Sequence, residues 1–264
     1  MTETPVLRSA DPERRVITLS TTAPPATRTF QLLHQLALLT QRPLLEATLD
    51  LARFQTEEAR ALARTGMANY FAGAALLPYR AFLSAARQTR HDLERLADRF
   101  GASIEQVAHR LSTLQRPGEK GVPFFFVRVD RAGNMTKRFS AGRFPFSRFG
   151  GTCPLWNIHA AFEAPGQMLT QVIRMPEGTS YFSIARTITR AGGVHGSPAQ
   201  RLAVGLGCDV AYAPRLVYAD GIDLGRTRPV DIGLNCYLCE RPDCAARAHA
   251  PLNRRLKVNE RERS

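Results

Sequence analysis

The sequence predicts an α+β protein, a helical half followed by a β-rich half. Two patterns and a break between them lead to that class. From Thr27 to about Leu114 apolar residues recur every three or four positions, which lines one face of a helix. From about residue 120 to 250, short β-branched and aromatic runs alternate with glycine and proline turns, the pattern of strands. Between them Arg116-Pro117-Gly118 cannot continue a helix. The expected divisions are a lead-in over 1–26, a helical part over 27–115, a β-rich part over 120–252 and a flexible tail over 253–264.

Each element has its own signal. Pro24-Pro25 precedes a first helix on which Phe30, Leu33 and Ala37 form one stripe and Leu32, Leu36 and Leu39 the next. A longer helix is expected over Thr56–Leu76, ending before Pro78. Phe82–Phe100 reads as one further helix closed by Gly101. Ser103-Ile104-Glu105-Gln106 fits a capping box that opens a short helix to Leu114. Phe124–Val129 is a strand, Asp130–Asn134 a polar turn, and Met135–Phe139 its antiparallel return. Met168–Met175 and Ser180–Ile188 form a hairpin about Pro176-Glu177-Gly178, and Arg201–Gly205 is one more strand.

The 264 residues suffice for a packed core, with 44% hydrophobic and 22% charged residues. No apolar run reaches the ~18–20 residues of a membrane span, and Met1–Leu19 has no signal-peptide core. A soluble, cytoplasmic protein with no membrane partner is expected. The net charge of +13 suits a polyanionic partner, nucleic acid or a phosphate-rich ligand. The lysines are Lys120, Lys137 and Lys257, and an arginine skew of this kind also follows from genome base composition.

Five cysteines, three of them in Cys236-Tyr237-Leu238-Cys239-Glu240-Arg241-Pro242-Asp243-Cys244, argue for metal ligation over a disulfide framework. Cys-x2-Cys brings two sulfurs to one side of a tight turn, and Cys244 adds a third. Cys208 is the first candidate for a fourth ligand and Cys153 its competitor. Tetrahedral zinc and an iron–sulfur cluster both suit such a set, and a cluster tolerates an uncertain fourth ligand better. Between Arg116 and Arg148 stand eight basic residues, with Phe139, Phe144, Phe146 and Phe149 interleaved. Arg138, Arg143 and Arg148 are candidates to grip ligand phosphates, with Phe144 stacking beside them; a hydrated basic face over core phenylalanines is the alternative.

The helical half resembles the zinc-peptidase-like domains of the ImmA/IrrE type, through His34-Gln35-Leu36-Ala37-Leu38, Met67-Ala68-Asn69-Tyr70-Phe71-Ala72 with Leu76-Leu77-Pro78, and the Asp92–Leu114 helix pair. That family pairs two histidines and a glutamate on one helix. Here the base position is Gln35, the second ligand position Leu38 and the third Thr65, so His34 reads as a packing residue and the chain as no enzyme. The Asp92–Leu114 pair invites a DNA-reading interpretation, but packing is the preferred one.

Across residues 5–252 the chain resembles the short-chain fatty acyl-CoA regulators, which include propionate and acetate metabolism regulators. The resemblance rests on Phe30-Gln31-Leu32-Leu33-His34-Gln35, Gly121–Asp130, Cys153-Pro154-Leu155-Trp156-Asn157-Ile158-His159, Val204–Asp209 and Leu216–Gly221. It implies a peptidase-like helical domain followed by a β-rich sensor domain that binds short-chain acyl-CoA. It also implies a cysteine-ligated centre, a [4Fe-4S] iron–sulfur cluster with zinc as the alternative, at Cys236, Cys239 and Cys244 with Cys208 less certain. The chain begins where the helical domain of the family begins, so DNA is expected to be reached only through a partner or a missing N-terminal helix-turn-helix domain. A homo-oligomer is expected.

Overall fold

A computed structural model describes residues 6–147, 151–190, 199–253 and 255. Among the described residues, six of the eight strands form one sheet and the other two a hairpin, beside seven helices. The expected lead-in is not featureless: β1 (Arg8–Asp11) and β2 (Val16–Leu19) form a hairpin. The short alternation Val16-Ile17-Thr18-Leu19 is strand-favouring, and Arg15 takes a left-handed φ of 56° in the turn.

Helices α1 (Pro25–Thr40), α2 (Arg42–Ala52) and α3 (Glu57–Leu76) pack together through Ala37, Leu45, Leu49, Ala68 and Ala72. Small residues at these contacts let the helix axes approach closely. Thr56 caps α3 by accepting a hydrogen bond from the Ala59 N–H at 3.1 Å. Glu46 of α2 holds Arg60 and Arg64 of α3 at 2.6 and 2.5 Å.

The single helix expected over Phe82–Phe100 is in fact two, α4 (Tyr79–Gln88) and α5 (Leu93–Phe100). Arg90 and His91 have positive φ, and the Asp92 side chain accepts from the N–H groups of Glu94 and Arg95, so a new helix starts there. An N-cap inside an apolar periodicity is easily passed over, because the stripe itself continues on both sides. Gly101 ends α5 in the left-handed region, and Ser103 with Gln106 forms the capping box of α6 (Ile104–Ser112).

The sheet runs in the order β4-β3-β7-β6-β5-β8, antiparallel except for the β5–β8 pair. Its strands are β3 (Phe125–Val129), β4 (Met135–Ser140), β5 (Leu169–Arg174), β6 (Ser180–Arg190), β7 (Gln200–Asp209) and β8 (Val230–Asp231). A one-turn helix, α7 (Asn157–Ala160), lies between β4 and β5.

The period of two divides the core between the two faces. Phe126, Phe182, Ile184, Val204, Leu206 and Cys208 face α4–α6 and the 3-10 segment Val210–Arg215. Phe125, Val127, Val129, Tyr181, Ala185 and Ala203 face the other way, onto Phe144, Trp156 and Ile158. Helices α4–α6 therefore share one apolar core with the sheet. Among the described residues no helix is long and apolar enough to cross a membrane.

Gly207 shows how closely the second face is packed. A Cβ there would stand 2.2 Å from the Phe125 ring and 2.7 Å from the Phe182 carbonyl oxygen, so the ring lies directly over the glycine. Gly207→Ala must displace a buried ring or the backbone, and overpacking of this kind costs about 1–3 kcal/mol. The expected outcome is a lowered urea midpoint with an unchanged m-value; an unchanged midpoint would mean that this packing is not as drawn.

Candidate functional site

The C-terminal cysteines are held by the segment that follows β8. Parallel pairing with β5 continues as the Ile232 N–H donates to the Arg174 carbonyl at 3.0 Å. Arg241 folds back and donates to the carbonyls of Ile232 and Arg174 at 3.1 and 2.8 Å. It also pairs with Asp231 at 3.2 Å, an aspartate already bound by Arg174 at 2.7 Å. Asn235 shapes the first turn: its Oδ1 accepts from the Leu238 N–H at 2.9 Å and its Nδ2 donates to the Ser147 hydroxyl at 2.6 Å. That turn carries Cys236 and Cys239 three residues apart on one side.

Arg247 closes the loop by donating to the carbonyls of Cys236 and Arg241. The Ala248 N–H donates to the Cys236 sulfur at 3.4 Å. Gly233 is pressed against Cys239: a Cβ would stand 2.6 Å from its Sγ, so only glycine lets the backbone pass so close to that sulfur.

Cys153, Cys236, Cys239 and Cys244 line one small cavity of about 10 Å³ together with Arg241 and Arg247. Space of that size holds about one water molecule. Cys153 is buried, and burial pushes its thiol up, opposed by backbone hydrogen bonds from Gly233 and Leu155. The donor set suits a thiophilic metal or an iron–sulfur group, being four sulfurs with two arginines beside them. Among the described residues, no three His, Cys, Asp or Glu side chains are gathered closely enough to hold a metal ion as the chain stands.

Cys208, the first choice for a fourth ligand, does not join this set. It lies on β7 opposite Phe182, 1% exposed, in the core shared with the helices. Cys153 belongs to the core on the other face of the sheet. Alternation along β7 aims Cys208 away from the cysteine loop, and burial pushes its thiol up to about 12. The competitor, Cys153, is the cysteine that meets the other three.

The expected phosphate grip is dispersed. Phe144 is 6% exposed and stacks on Phe125 with ring centroids 3.9 Å apart, inside a cluster with Phe146, Trp156 and Tyr181. It is a core residue and offers no face to a ligand. Arg138 is exposed on β4 and donates to the Ser147 carbonyl at 2.6 Å, while Arg143 is exposed in the loop that follows. Arg148 lies outside the described residues.

In the helical half Arg8 is packed against His34. His34 is 3% exposed, and its Nδ1 meets Arg8 Nη1 at 2.5 Å. Arg8 also donates to the Gln31 side chain at 3.1 Å. Burial and then the Arg8 charge lower the His34 pKa, opposed by a hydrogen bond to the Thr65 backbone. Both ring nitrogens thus have protein partners. Helix α6 is likewise committed to packing, with Val107, Ala108 and Leu111 in the shared core. Arg110, 5% exposed, donates to the Leu77 carbonyl at 3.0 Å, so this helix has no free basic face for a DNA groove.

Residues 113–264 match the family described as short-chain fatty acyl coenzyme A regulator, C-terminal, and residues 2–112 match the IrrE N-terminal-like domain. The chain is 61% identical over 260 residues to a propionyl-CoA carboxylase regulator of Cereibacter sphaeroides, covering 98% of this chain and 56% of that protein. It is 46% identical over 258 residues to the HTH-type transcriptional regulator RamB of Mycobacterium tuberculosis, covering 97% and 54%. With the HTH-type transcriptional regulator PrpR of the same organism it shares 47% identity over 254 residues, covering 96% and 52%. The chain thus spans about half the length of the curated relatives it matches. A solved Mycobacterium tuberculosis transcriptional regulator superposes with a TM-score of 0.92 at 47% identity, covering 98% of this chain and 79% of that one. On these matches the chain belongs to the short-chain fatty acyl coenzyme A regulator family.

Proposed function

We propose that this chain is the sensor portion of a cytoplasmic transcription regulator of short-chain fatty acid metabolism. It takes a short-chain acyl-CoA and carries an iron–sulfur cluster on Cys236, Cys239, Cys244 and Cys153. The observation that supports the metal half of this reading is that those four cysteines line one cavity. When bound, such a cluster supplies oxygen and redox sensitivity. The chain's own part is to hold the ligand loop: Asn235 sets the turn, Arg241 ties it to β5, and the Ala248 N–H supports the Cys236 sulfur. Ligand and cluster then favour one packing of the sheet against α4–α6, a population shift passed to DNA through a helix-turn-helix unit or a partner.

Gln35, Leu38 and the Arg8–His34 contact speak against peptidase chemistry, so no chelator-sensitive peptide cleavage is expected. A single zinc ion is the second reading, favoured by the tightness of the 10 Å³ cavity.

The visible spectrum of anaerobically purified protein tests the centre. A broad brown absorption that bleaches in air and disappears in Cys236→Ser plus Cys239→Ser is the expected result. A colourless protein with stoichiometric zinc would replace the cluster by the second reading. Metal-free protein, with metal content and folding unaffected by the double substitution, would remove the centre altogether.

A further inference from the structure

A second cavity, of about 310 Å³, lies on the opposite side of the sheet from Cys153, where α4 ends, the chain enters β3 and the 3-10 segment Val210–Arg215 passes. Its volume is at the lower end of small-ligand sites. Arg87, Arg90, His91, Lys120 and Arg215 line it, and no acidic residue does. The acids near it in sequence are engaged: Asp92, next to His91, caps α5 and lies 3.6 Å from Arg95. Asp220 forms a two-pronged pair with Arg90, both contacts at 2.8 Å, and Glu119 pairs with Arg80 and Arg116. Arg87, Lys120 and Arg215 have no ion-pair partner among the described residues, and all three side chains are exposed.

The floor of the cavity is built. Arg90 and His91 are consecutive non-glycine residues in the left-handed region, with φ of 51° and 63°. Adjacent strained residues persist only where surrounding bonds enforce them. Here the His91 N–H donates to the Ala86 carbonyl at 2.7 Å and the Val217 N–H to the Arg90 carbonyl at 2.9 Å. The Arg90 guanidinium further donates to the carbonyls of Pro214 and Leu216. The conformation seats the His91 ring, 5% exposed, against Phe124 with its Nδ1 at 3.3 Å from the Arg215 carbonyl. The Arg215 carbonyl can only accept, so His91 donates from Nδ1 and the ring is part of the wall's own bonding.

We infer that this cavity is an anion site that takes the phosphate groups of a small phosphorylated ligand, a diphosphate or phosphomonoester, between Arg87, Lys120 and Arg215. Arginines fork onto phosphate oxygens and lysine adds a point charge. The cavity joins α4 to the segment after β7, so an occupant bridges the helical layer and the sheet. Where the phosphates come from an acyl-CoA, the site deepens the function proposed above; as a site for a free diphosphate it stands without it.

The test is calorimetry on the whole chain with inorganic pyrophosphate, coenzyme A and propionyl-CoA, each against wild type and Arg87→Ala plus Lys120→Ala. These two side chains are exposed, so the variant is expected to fold, and its melting temperature checks this. Weakening of pyrophosphate and coenzyme A binding by tenfold or more in the variant is the expected result, with Arg215→Glu weakening it further. Pyrophosphate binding that depends on these residues without any binding of propionyl-CoA would keep the anion site and remove the acyl-CoA reading. Propionyl-CoA binding indifferent to all three substitutions would do the reverse. No pyrophosphate binding to wild type, or equal dependence on these residues for duplex DNA of arbitrary sequence, would overturn the inference.

Discussion

Ser183→Ala is expected to cost about 3 kcal/mol of folding stability, because it leaves two buried polar groups without partners at roughly 1–3 kcal/mol each. Ser183 is fully buried on β6. Its hydroxyl accepts from Trp156 Nε1 at 2.8 Å and donates to Asn157 Oδ1 at 2.9 Å. Asn157 in turn donates to the carbonyls of Leu169 and Ser183, both at 3.2 Å, and its N–H donates to the Gln171 side chain at 2.8 Å. No water reaches Ser183 to replace what is lost, so the penalty is not screened. Urea unfolding reads the loss directly. Because Ser183 and Asn157 belong to one network, Ser183→Ala with Asn157→Ala is expected to lose less than the two single losses added. Strict additivity would mean that the network is not a unit.

The same network reaches the cysteine cavity. Trp156 and Asn157 follow Cys153 by three and four residues, and the Trp156 N–H donates to the Cys153 carbonyl at 3.1 Å. Releasing Trp156 therefore loosens the segment that presents Cys153 to the loop of Cys236, Cys239 and Cys244. Faster reaction of Cys153 with a thiol reagent in metal-free Ser183→Ala is the accompanying local signature, and it separates a positioning effect from simple global destabilisation.

How much of this was legible beforehand depended on whether the signal was local. The capping box at Ser103 and Gln106 holds, since both partners lie within one turn. The hairpin about Pro176-Glu177-Gly178 appears as β5 and β6, since a turn and two flanking alternations specify it. The strand expected over Arg201–Gly205 runs on to Asp209, and Gly205 and Gly207 within it admit Val127, Ile158 and Phe125 from neighbouring elements. Non-local facts decide the rest. Phe144 among arginines looks like a stacking platform until Phe125 and Tyr181 are seen to bury it. Cys208 looks equivalent to Cys153 until the register of β7 assigns them to opposite faces. The cationic cavity had no linear signature at all, since its residues come from 87–91, 120–122 and 215.

Acid is expected to remove about 3 kcal/mol of stability between pH 6.5 and 4 through His109 alone. Burial, and then the charge of Lys137, lowers the pKa of this histidine to about 4 from an ordinary 6.5. The ring packs edge-on to Phe126 at 5.3 Å and to Phe139 at 6.4 Å, which denies water to the imidazolium. Arg110 adds to the repulsion and Glu105 opposes it, but Glu105 is already shared by Arg128 and Arg190 at 2.6 and 3.0 Å. The sign follows from proton counting. Between pH 4 and 6.5 the unfolded chain carries a proton on His109 that the folded chain refuses, so stability falls as the pH falls across that interval and levels off below it. At about 1.4 kcal/mol per tenfold change in proton affinity, the depression corresponds to about 3 kcal/mol. His34, His91 and His159 are lowered by burial too and steepen the same limb. Glu105 is lowered in the folded chain, so its contribution is present above the unfolded pKa and lost only as the pH drops through the folded one, mostly below this window. His109→Gln keeps a polar group of similar reach and cannot take up a proton. Its urea midpoint between pH 7 and 4 is expected to fall less than the wild-type midpoint, by an amount equal to the His109 share. Parallel curves for the two proteins would show that His109 protonates as readily in the folded chain as in the unfolded one, and would undo the burial of this ring between α6 and the sheet.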